Sequence, residues 1–488
     1  MSKKIQFMRD KDIDIVNENL ENIIDKAKRK QQQLLEPTID ESKDIQATIV
    51  EYIKKNRRIV YGGTAFNTLL TKIDPKLAFY KKTDVNDIEF YSNDPINDIK
   101  NICDLLQKKK FKFIQGKSAQ HEDTYTIFVN FQGYCDISYM PSNVYFTAMT
   151  ENINGIRYIH PKFILVDLLR QFNDPIISFR RLDKQLKRAK LMIQNFPIEF
   201  STTPITIEPI DNDAKSIIDY LLPHLAKMST TFFIGDIAYN TFLREQSTLA
   251  HRSGSQNNKI ISNNEILPIE IISTKLEHDC RIVYELIYKY FFENDTLALF
   301  TNKITVEQYH PFFQFLDKRA VYKYNGKPFL TIYGNNGKCI PYNHIDYKYD
   351  SKSYPINIGT FNVVFMILLS KYHQAVANKD KHNQNLYDYT MYNLLLSRNN
   401  YLDKHNKTIL DDTIFEDFKI DCLGKPDDPS RNYRLSLMNP RLKSKSTIHI
   451  YDPDKENKDN FIPSDYVFEN YSGNIINNQY YYIFQIKK

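Results

Sequence analysis

The chain has no tryptophan, only five cysteines among 488 residues, and no apolar run near the length of a membrane span. Each shortage excludes something. The cysteines (Cys103, Cys135, Cys280, Cys339, Cys422) are far apart and show neither a Cys-x-x-Cys pair nor a Cys/His ligand spacing. Neither a zinc site nor a disulfide framework is therefore expected, and a reducing compartment is the simplest reading. The longest apolar stretch, Val363 to Leu369, suits a buried helix and falls short of the roughly 20 residues that cross a bilayer, so no membrane role is expected. The first residues, Met1-Ser2-Lys3-Lys4-Ile5, are charged and lack the apolar segment of a signal peptide. The missing tryptophan, beside abundant Asn, Ile, Lys and Tyr, resembles the bias of an AT-rich genome, which bears on origin and not on activity.

Hydrophobic residues make up 42% and charged residues 25%, the balance of a soluble globular protein, and the length allows two or three domains with a real core. The net charge of +6 is compatible with a polyanionic partner without arguing for one.

The chemistry lies in two glycines and three spaced carboxylates: Val60-Tyr61-Gly62-Gly63-Thr64, then Asp87-Ile88-Glu89-Phe90, then Cys135-Asp136-Ile137. Each acid has apolar neighbours, as on a strand with one acidic and one buried face, and Asp87 and Glu89 at a spacing of two point the same way. With Asp136 on a neighbouring strand, three oxygen ligands would converge. Such a set suits two hard Mg2+ ions with positions open to phosphate oxygens.

Around these residues the pattern is an N-terminal helix from Asp12 to about Lys30 outside the main core, a second helix ending near Arg58, and a strand Ile59 to Tyr61. A Gly-Gly turn, a helix (Ala65 to Lys72), a strand (Ile88 to Tyr91) and a helix (Ile96 to Leu106) follow. Three strands are then expected near Phe111 to Ile114, Tyr125 to Asn130 and Tyr134 to Tyr139, building a mixed sheet with helices on one side. Helices follow from Pro161 and from about Arg180 to Ile193. In the latter, Arg180, Lys184, Lys187 and Arg188 share a face, either a solvated surface or a contact for triphosphate or RNA.

The motif returns. Gly62-Gly63-Thr64-Ala65-Phe66-Asn67-Thr68-Leu69-Leu70 is echoed by Gly235-Asp236-Ile237-Ala238-Tyr239-Asn240-Thr241-Phe242-Leu243, and Asp87-Ile88-Glu89 by Pro268-Ile269-Glu270. The collinear order implies a duplicated fold whose second copy is damaged: Asp236 replaces the second glycine, Pro268 the first acid, and the third strand, expected near Phe329 to Tyr342, offers none. One remaining ligand cannot hold two metals. The second copy is expected to be structural, RNA-binding or dimer-forming. Expected units are an N-terminal helical extension over 1–44, the catalytic domain over 45–200, the degenerate copy over 201–400 and an extension over 401–488, with aromatic strands near Ile448 to Tyr451 and Tyr480 to Phe484.

These residues resemble the nucleotidyltransferase superfamily that includes DNA polymerase beta, and more closely the poly(A) polymerase catalytic subunits of large cytoplasmic DNA viruses, related to the poxvirus enzyme. The resemblance runs from about Ile45 to Leu396. It implies an α/β fold (α+β, mixed sheet): a DNA polymerase beta-like domain followed by a degenerate second one. It also implies template-independent transfer of AMP from ATP to the 3′-hydroxyl of mRNA, with release of pyrophosphate. Asp87, Glu89 and Asp136 would hold two Mg2+ or Mn2+ ions, with Asp136 also a proton acceptor. Gly62, Gly63, Thr64, Lys184 and Arg188 would meet the ATP phosphates, and Arg180, Lys187, Lys110 and Lys112 are candidates for RNA. Asp84 competes with Asp87, but only Asp87 has the spacing to Glu89. Expected partners are an RNA 3′ end, ATP, and either a second copy in a homodimer or a processivity-factor subunit; the expected location is the host cytoplasm at the viral factory, and the virion. Uridylyl transfer, CCA addition, oligoadenylate synthesis and a non-catalytic RNA-binding subunit are the alternatives.

Overall fold

The computed structural model describes residues 8–34, 39–80, 86–119, 123–201, 210–250, 268–309, 313, 316, 318–335, 337–349, 352–425 and 450–454. In the first half the strands are β1 (Ile59–Tyr61), β2 (Ile88–Ser92), β3 (Gln115–Ser118), β4 (Thr124–Val129), β5 (Gln132–Tyr139), β6 (Thr150–Ile153) and β7 (Ile156–Ile159). The helices are α1 (Asp10–Leu34), α2 (Ile39–Lys55), α3 (Gly62–Ile73), α4 (Pro95–Lys108), α5 (Ser142–Thr147), α6 (Pro161–Phe172), α7 (Pro175–Ser178) and α8 (Leu182–Asn195). Proline opens α4, α6 and α7, where its missing N–H costs nothing, and Asp94 and Asp174 cap α4 and α7 by accepting from backbone N–H groups.

The second half has β8 (Thr231–Ile234), β9 (Ile269–Ser273), β10 (Ile304–Tyr309), β11 (Arg319–Tyr324), β12 (Lys327–Gly334), β13 (Ile340–Tyr349) and β14 (Lys352–Gly359). With them come α9 (Asn212–Leu225), α10 (Gly235–Ala250), α11 (Leu276–Glu293), α12 (Leu297–Lys303), α13 (Phe361–Ala377) and α14 (Lys381–His405).

The first sheet runs β3-β4-β5-β2-β1-β7-β6 and the second β10-β11-β12-β9-β8-β14-β13. Antiparallel and parallel pairings succeed one another identically in the two: antiparallel, antiparallel, parallel, antiparallel, parallel, antiparallel. One blueprint is used twice, as the repeated motif implies. Smaller features repeat with it. Asp98 on the first turn of α4 is buried against Tyr52 and Arg58, at 2.6 and 2.7 Å. Asp279, at the same place in α11, accepts from Thr230 and Ser273 at 2.7 and 2.6 Å. One continuous core joins the units, and the equivalent helices α6 and α13 meet in it, with Phe163 packed against Phe313 and His373.

Several expectations change. Gly62 turns the chain straight into the helix, so α3 begins at Gly62 rather than at Ala65. Residues 111–114 are not a strand, because Phe113 has φ +52°, which no strand accommodates; β3 begins at Gln115. The β6–β7 hairpin escaped the sequence pattern because its strands have only four residues each. Cys339 and Cys422 form a disulfide with Cα atoms 5.3 Å apart, contrary to the expectation of none. Spacing could not reveal it, since the partners are brought together only when β15 (Cys422–Leu423) pairs with β13 at the edge of the second sheet. The cysteine ground for expecting a reducing compartment falls with it. Farther on, β16 (Ile450–Tyr451) pairs with β3, so the C-terminal stretch touches both sheets; Tyr480 to Phe484 lie outside the described residues. Helix α1 does stand off the core, with Ile13, Ile15, Val16, Leu20, Ile23 and Ile24 all exposed.

The second unit shows what replaces a site. The strand carrying the expected third acid is β12, and Thr331 stands opposite Glu270. The remaining acid, Glu270, is neutralised by Lys371 of α13, whose ammonium donates to Oε2, while the Tyr333 hydroxyl donates to Oε1 at 3.0 Å. Lys371→Met should cost about 3 kcal/mol in denaturant unfolding by stranding the Glu270 charge, and adding Glu270→Gln should recover much of that; equal losses in the single and double variants would contradict it.

Asp236 has its pKa pushed up to about 7 by burial, with Glu270 adding to the rise and Lys371 opposing it. A folded pKa above the unfolded value favours the neutral acid, so this contribution to stability is present in acid and is lost as pH rises through about 7. Asp236→Asn should therefore raise Tm at about pH 8 and leave it nearly unchanged at about pH 4, as a pH series of thermal melts would read.

Candidate active site

Tyr61 ends β1 in an extended conformation, and the chain turns at Gly62 with φ +68° to start α3. This left-handed junction suits glycine because a Cβ would crowd the backbone, and here it would also collide with a side chain. A Cβ on Gly62 would lie 1.7 Å from Glu89 Oε2. Glu89 occupies that space, and its Oε2 accepts from the Gly63 N–H at 2.8 Å. A Cβ on Gly63 would lie 2.1 Å from the Tyr80 hydroxyl and 2.8 Å from Arg188 Nη2.

Strands β2 and β5 run parallel with Glu89 opposite Asp136, and Asp87 immediately precedes β2. The sheet thus gathers the three acids at one end. Asp136 Oδ1 accepts from Thr126 Oγ1 at 2.6 Å, from the neighbouring strand β4. Burial holds the Glu89 carboxyl above its usual range; the Gly63 N–H pulls it down, and Asp136 adds to the rise. Asp87 is pushed the same way by the protein around it and then by Asp136, although its surface is open to water, so this push is modest. Among the described residues no three carboxylate, imidazole or thiol groups close on one point as metal ligands. The reason is local: Glu89 is turned to Gly63 and Asp136 to Thr126. The donors are nonetheless all hard oxygens, and the charge of Asp136 is felt by both other acids, so the set fits divalent metal.

Of the basic candidates, Lys184 and Arg188, one turn apart on α8, reach this site. The Arg188 guanidinium lies over the Phe79 ring, 5.7 Å from its centroid, and faces Tyr80 and Glu89. Burial and Arg188 lower the Lys184 pKa, opposed by the charges of Glu89 and Asp87. Lys187 instead pairs with Asp183 on the exposed side at 2.9 Å, and Arg180 sits over Phe179 in a short 3-10 turn. Lys110 and Lys112 are exposed in the loop after α4. The Thr64 hydroxyl donates to the Asp87 carbonyl at 3.1 Å. Asp84 lies outside the described residues.

Beside Gly62 a narrow pocket open to solvent is lined by Tyr61, Tyr91, Phe163, Asp167, Gln185 and Arg188 among others. The Tyr61 and Tyr91 rings stack with centroids 3.9 Å apart and planes 10° apart. Asp167 is held by Arg170 at 2.8 Å and by Gln171 at 3.0 Å, while Gln185 is only 5% exposed.

A family model described as poly(A) polymerase catalytic subunit matches residues 47–178, and one for the C-terminal part of the mimivirus subunit matches 217–486. Over 497 aligned residues the chain is 35% identical to a protein assigned as poly(A) polymerase catalytic subunit in Acanthamoeba polyphaga mimivirus, spanning 97% of this chain and 83% of that one. The chain belongs to the poly(A) polymerase catalytic subunits. It is accordingly a polynucleotide adenylyltransferase. The crystal structure of the Megavirus polyadenylate synthase is similar at TM-score 0.81 and 30% identity, with 99% of this chain and 94% of that chain covered. An African swine fever virus protein assigned to the same function is 29% identical over 164 residues, 32% of this chain and 34% of its own.

Within this poly(A) polymerase, sequence reasoning missed Thr126, Tyr80, Asp167 and Gln185. Thr126 is legible only through its register with Asp136, and Gln185 only through its place beside Lys184. Asn67, present in both copies of the motif, accepts from the N–H groups of Phe79 and Tyr80 at 2.9 and 3.1 Å and so sets Tyr80 over Gly63. Gly62→Ala should lower primer extension at least a hundredfold by evicting Glu89, with a loss of about 1–2 kcal/mol in stability from the left-handed φ. Near-normal extension by this variant would contradict the role given to that contact.

Proposed function

We propose that this enzyme adds AMP from ATP to the 3′-hydroxyl of RNA at the first unit, with Asp87, Glu89 and Asp136 holding two Mg2+ or Mn2+ ions. The pairing of Glu89 with Asp136 across parallel strands, beside Gly62 and Gly63, supports this reading above all. When bound, the two ions lower the pKa of the 3′-hydroxyl and neutralise charge on the triphosphate. Lys184 and Arg188 meet the phosphate charge from α8, and the start of α3 adds its dipole. Glu89 acts as a placeholder on the Gly63 N–H. With Glu89 serving as a metal ligand instead, the Gly63 N–H would be open to a phosphate oxygen. Asp136, held by Thr126, serves as ligand and as proton acceptor for the 3′-hydroxyl. In the adjoining cavity the Gln185 amide can offer both an acceptor and a donor to an adenine edge, and Tyr61 and Phe163 supply apolar walls.

Labelled RNA primer incubated with each NTP separately tests the reading: extension with ATP is expected, and preference for UTP or CTP would overturn it. Asp87→Ala should abolish extension while Asp84→Ala leaves more activity, and primer extension retained by Asp87→Ala with Glu89→Ala would remove the acids from the chemistry. Gln185→Leu should reduce discrimination for ATP over GTP by about tenfold or more, measured as a ratio of kcat/KM values.

A further inference from the structure

Two phenylalanines at the same end of the first sheet as the acids are exposed to a degree that core packing does not explain. Phe113, in the loop after α4, is 60% exposed, and Phe131, at the tip of the β4–β5 hairpin, is 78% exposed. Their rings stack on each other, with centroids 5.5 Å and planes 24° apart. Both have left-handed backbone, φ +52° and +65°, which costs a bulky residue energy and persists only where the surroundings impose it. The surroundings do so here: the Asn130 N–H donates to the Lys112 carbonyl at 3.3 Å, locking the two loops together. Lysine flanks the platform. Lys110 and Lys112 are exposed in the same loop and Lys108 at the end of α4, while Lys109 is tied to Asp44 at 3.0 Å.

We infer that Phe113 and Phe131 form a stacking platform for single-stranded RNA upstream of the 3′ end, resting on the polyadenylation reading above. The topology sets the direction. β5 runs parallel to β2 with Cys135 opposite Ile88, so the end of β5 nearest Asp87 is its Gln132 end, and Phe131 stands just beyond. Five residues of extended chain separate Phe131 from Asp136, about 16 Å, a span of a few nucleotides. A base would stack on the exposed ring pair while Lys110 and Lys112 meet the backbone, the combination that holds single strands without reading their sequence. The lysines argue for RNA over protein, because lysine is depleted where proteins bury one another.

The test measures steady-state extension with ATP on an RNA primer of about 20 nucleotides and on one of about two, too short to reach the platform. With both phenylalanines changed, Phe113→Ala and Phe131→Ala, KM for the long primer should rise about tenfold while kcat, KM for ATP and KM for the short primer stay near wild type. Phe131→Trp should bind long RNA as wild type does, and Phe131→Leu, apolar but not flat, should not. Unchanged long-primer KM in the double variant, equal behaviour of Leu and Trp, or an altered mass in sedimentation with unaltered RNA binding would each overturn the platform. Failure of the wild-type enzyme to bind the long RNA at all would overturn the polyadenylation reading along with it.

Discussion

The site depends on one close contact, Glu89 lying where Gly62 has no side chain. A left-handed φ at the β1–α3 junction turns the chain directly from strand into helix, and the missing Cβ leaves the room that Glu89 fills. From there it reaches the Gly63 N–H, faces Asp136 across the parallel β2–β5 pairing, and receives the charge of Arg188. Donors, acids and cations converge because a single backbone turn sets all of them at one strand end.

The second unit keeps that architecture with different side chains around it. Gly235 has φ +64°, and Glu270 crowds it as Glu89 crowds Gly62. An ammonium from Lys371 then satisfies the carboxylate, and Thr331 stands at the register position of Asp136. The glycine and the glutamate thus belong to the shared fold. What differs between the units is whether the glutamate faces other acids or a lysine.

Legibility followed range along the chain. Strand β1, helices α4, α6 and α8, and the acid positions could be read because their patterns are local, and the duplicated fold because its motifs recur in order. The disulfide, the β6–β7 hairpin and the bend at Phe113 could not, since each depends on partners remote in sequence or on strands too short to show a period. The basic face of α8 was read as one surface, yet only Lys184 and Arg188 reach the acids, while Lys187 pairs outward with Asp183.

By itself the sequence determined the residue types that a phosphoryl-transfer site needs, their strand spacing and their loss in the second copy, because alternation and substitution are written residue by residue. Only the tertiary structure decided that Glu89 rests on Gly63, that Thr126 holds Asp136, that Lys371 neutralises Glu270, and that Gln185 lines a pocket beside Gly62. Each of these is a meeting of segments far apart in the chain. Such meetings arise from sheet register and helix packing, which no local pattern encodes.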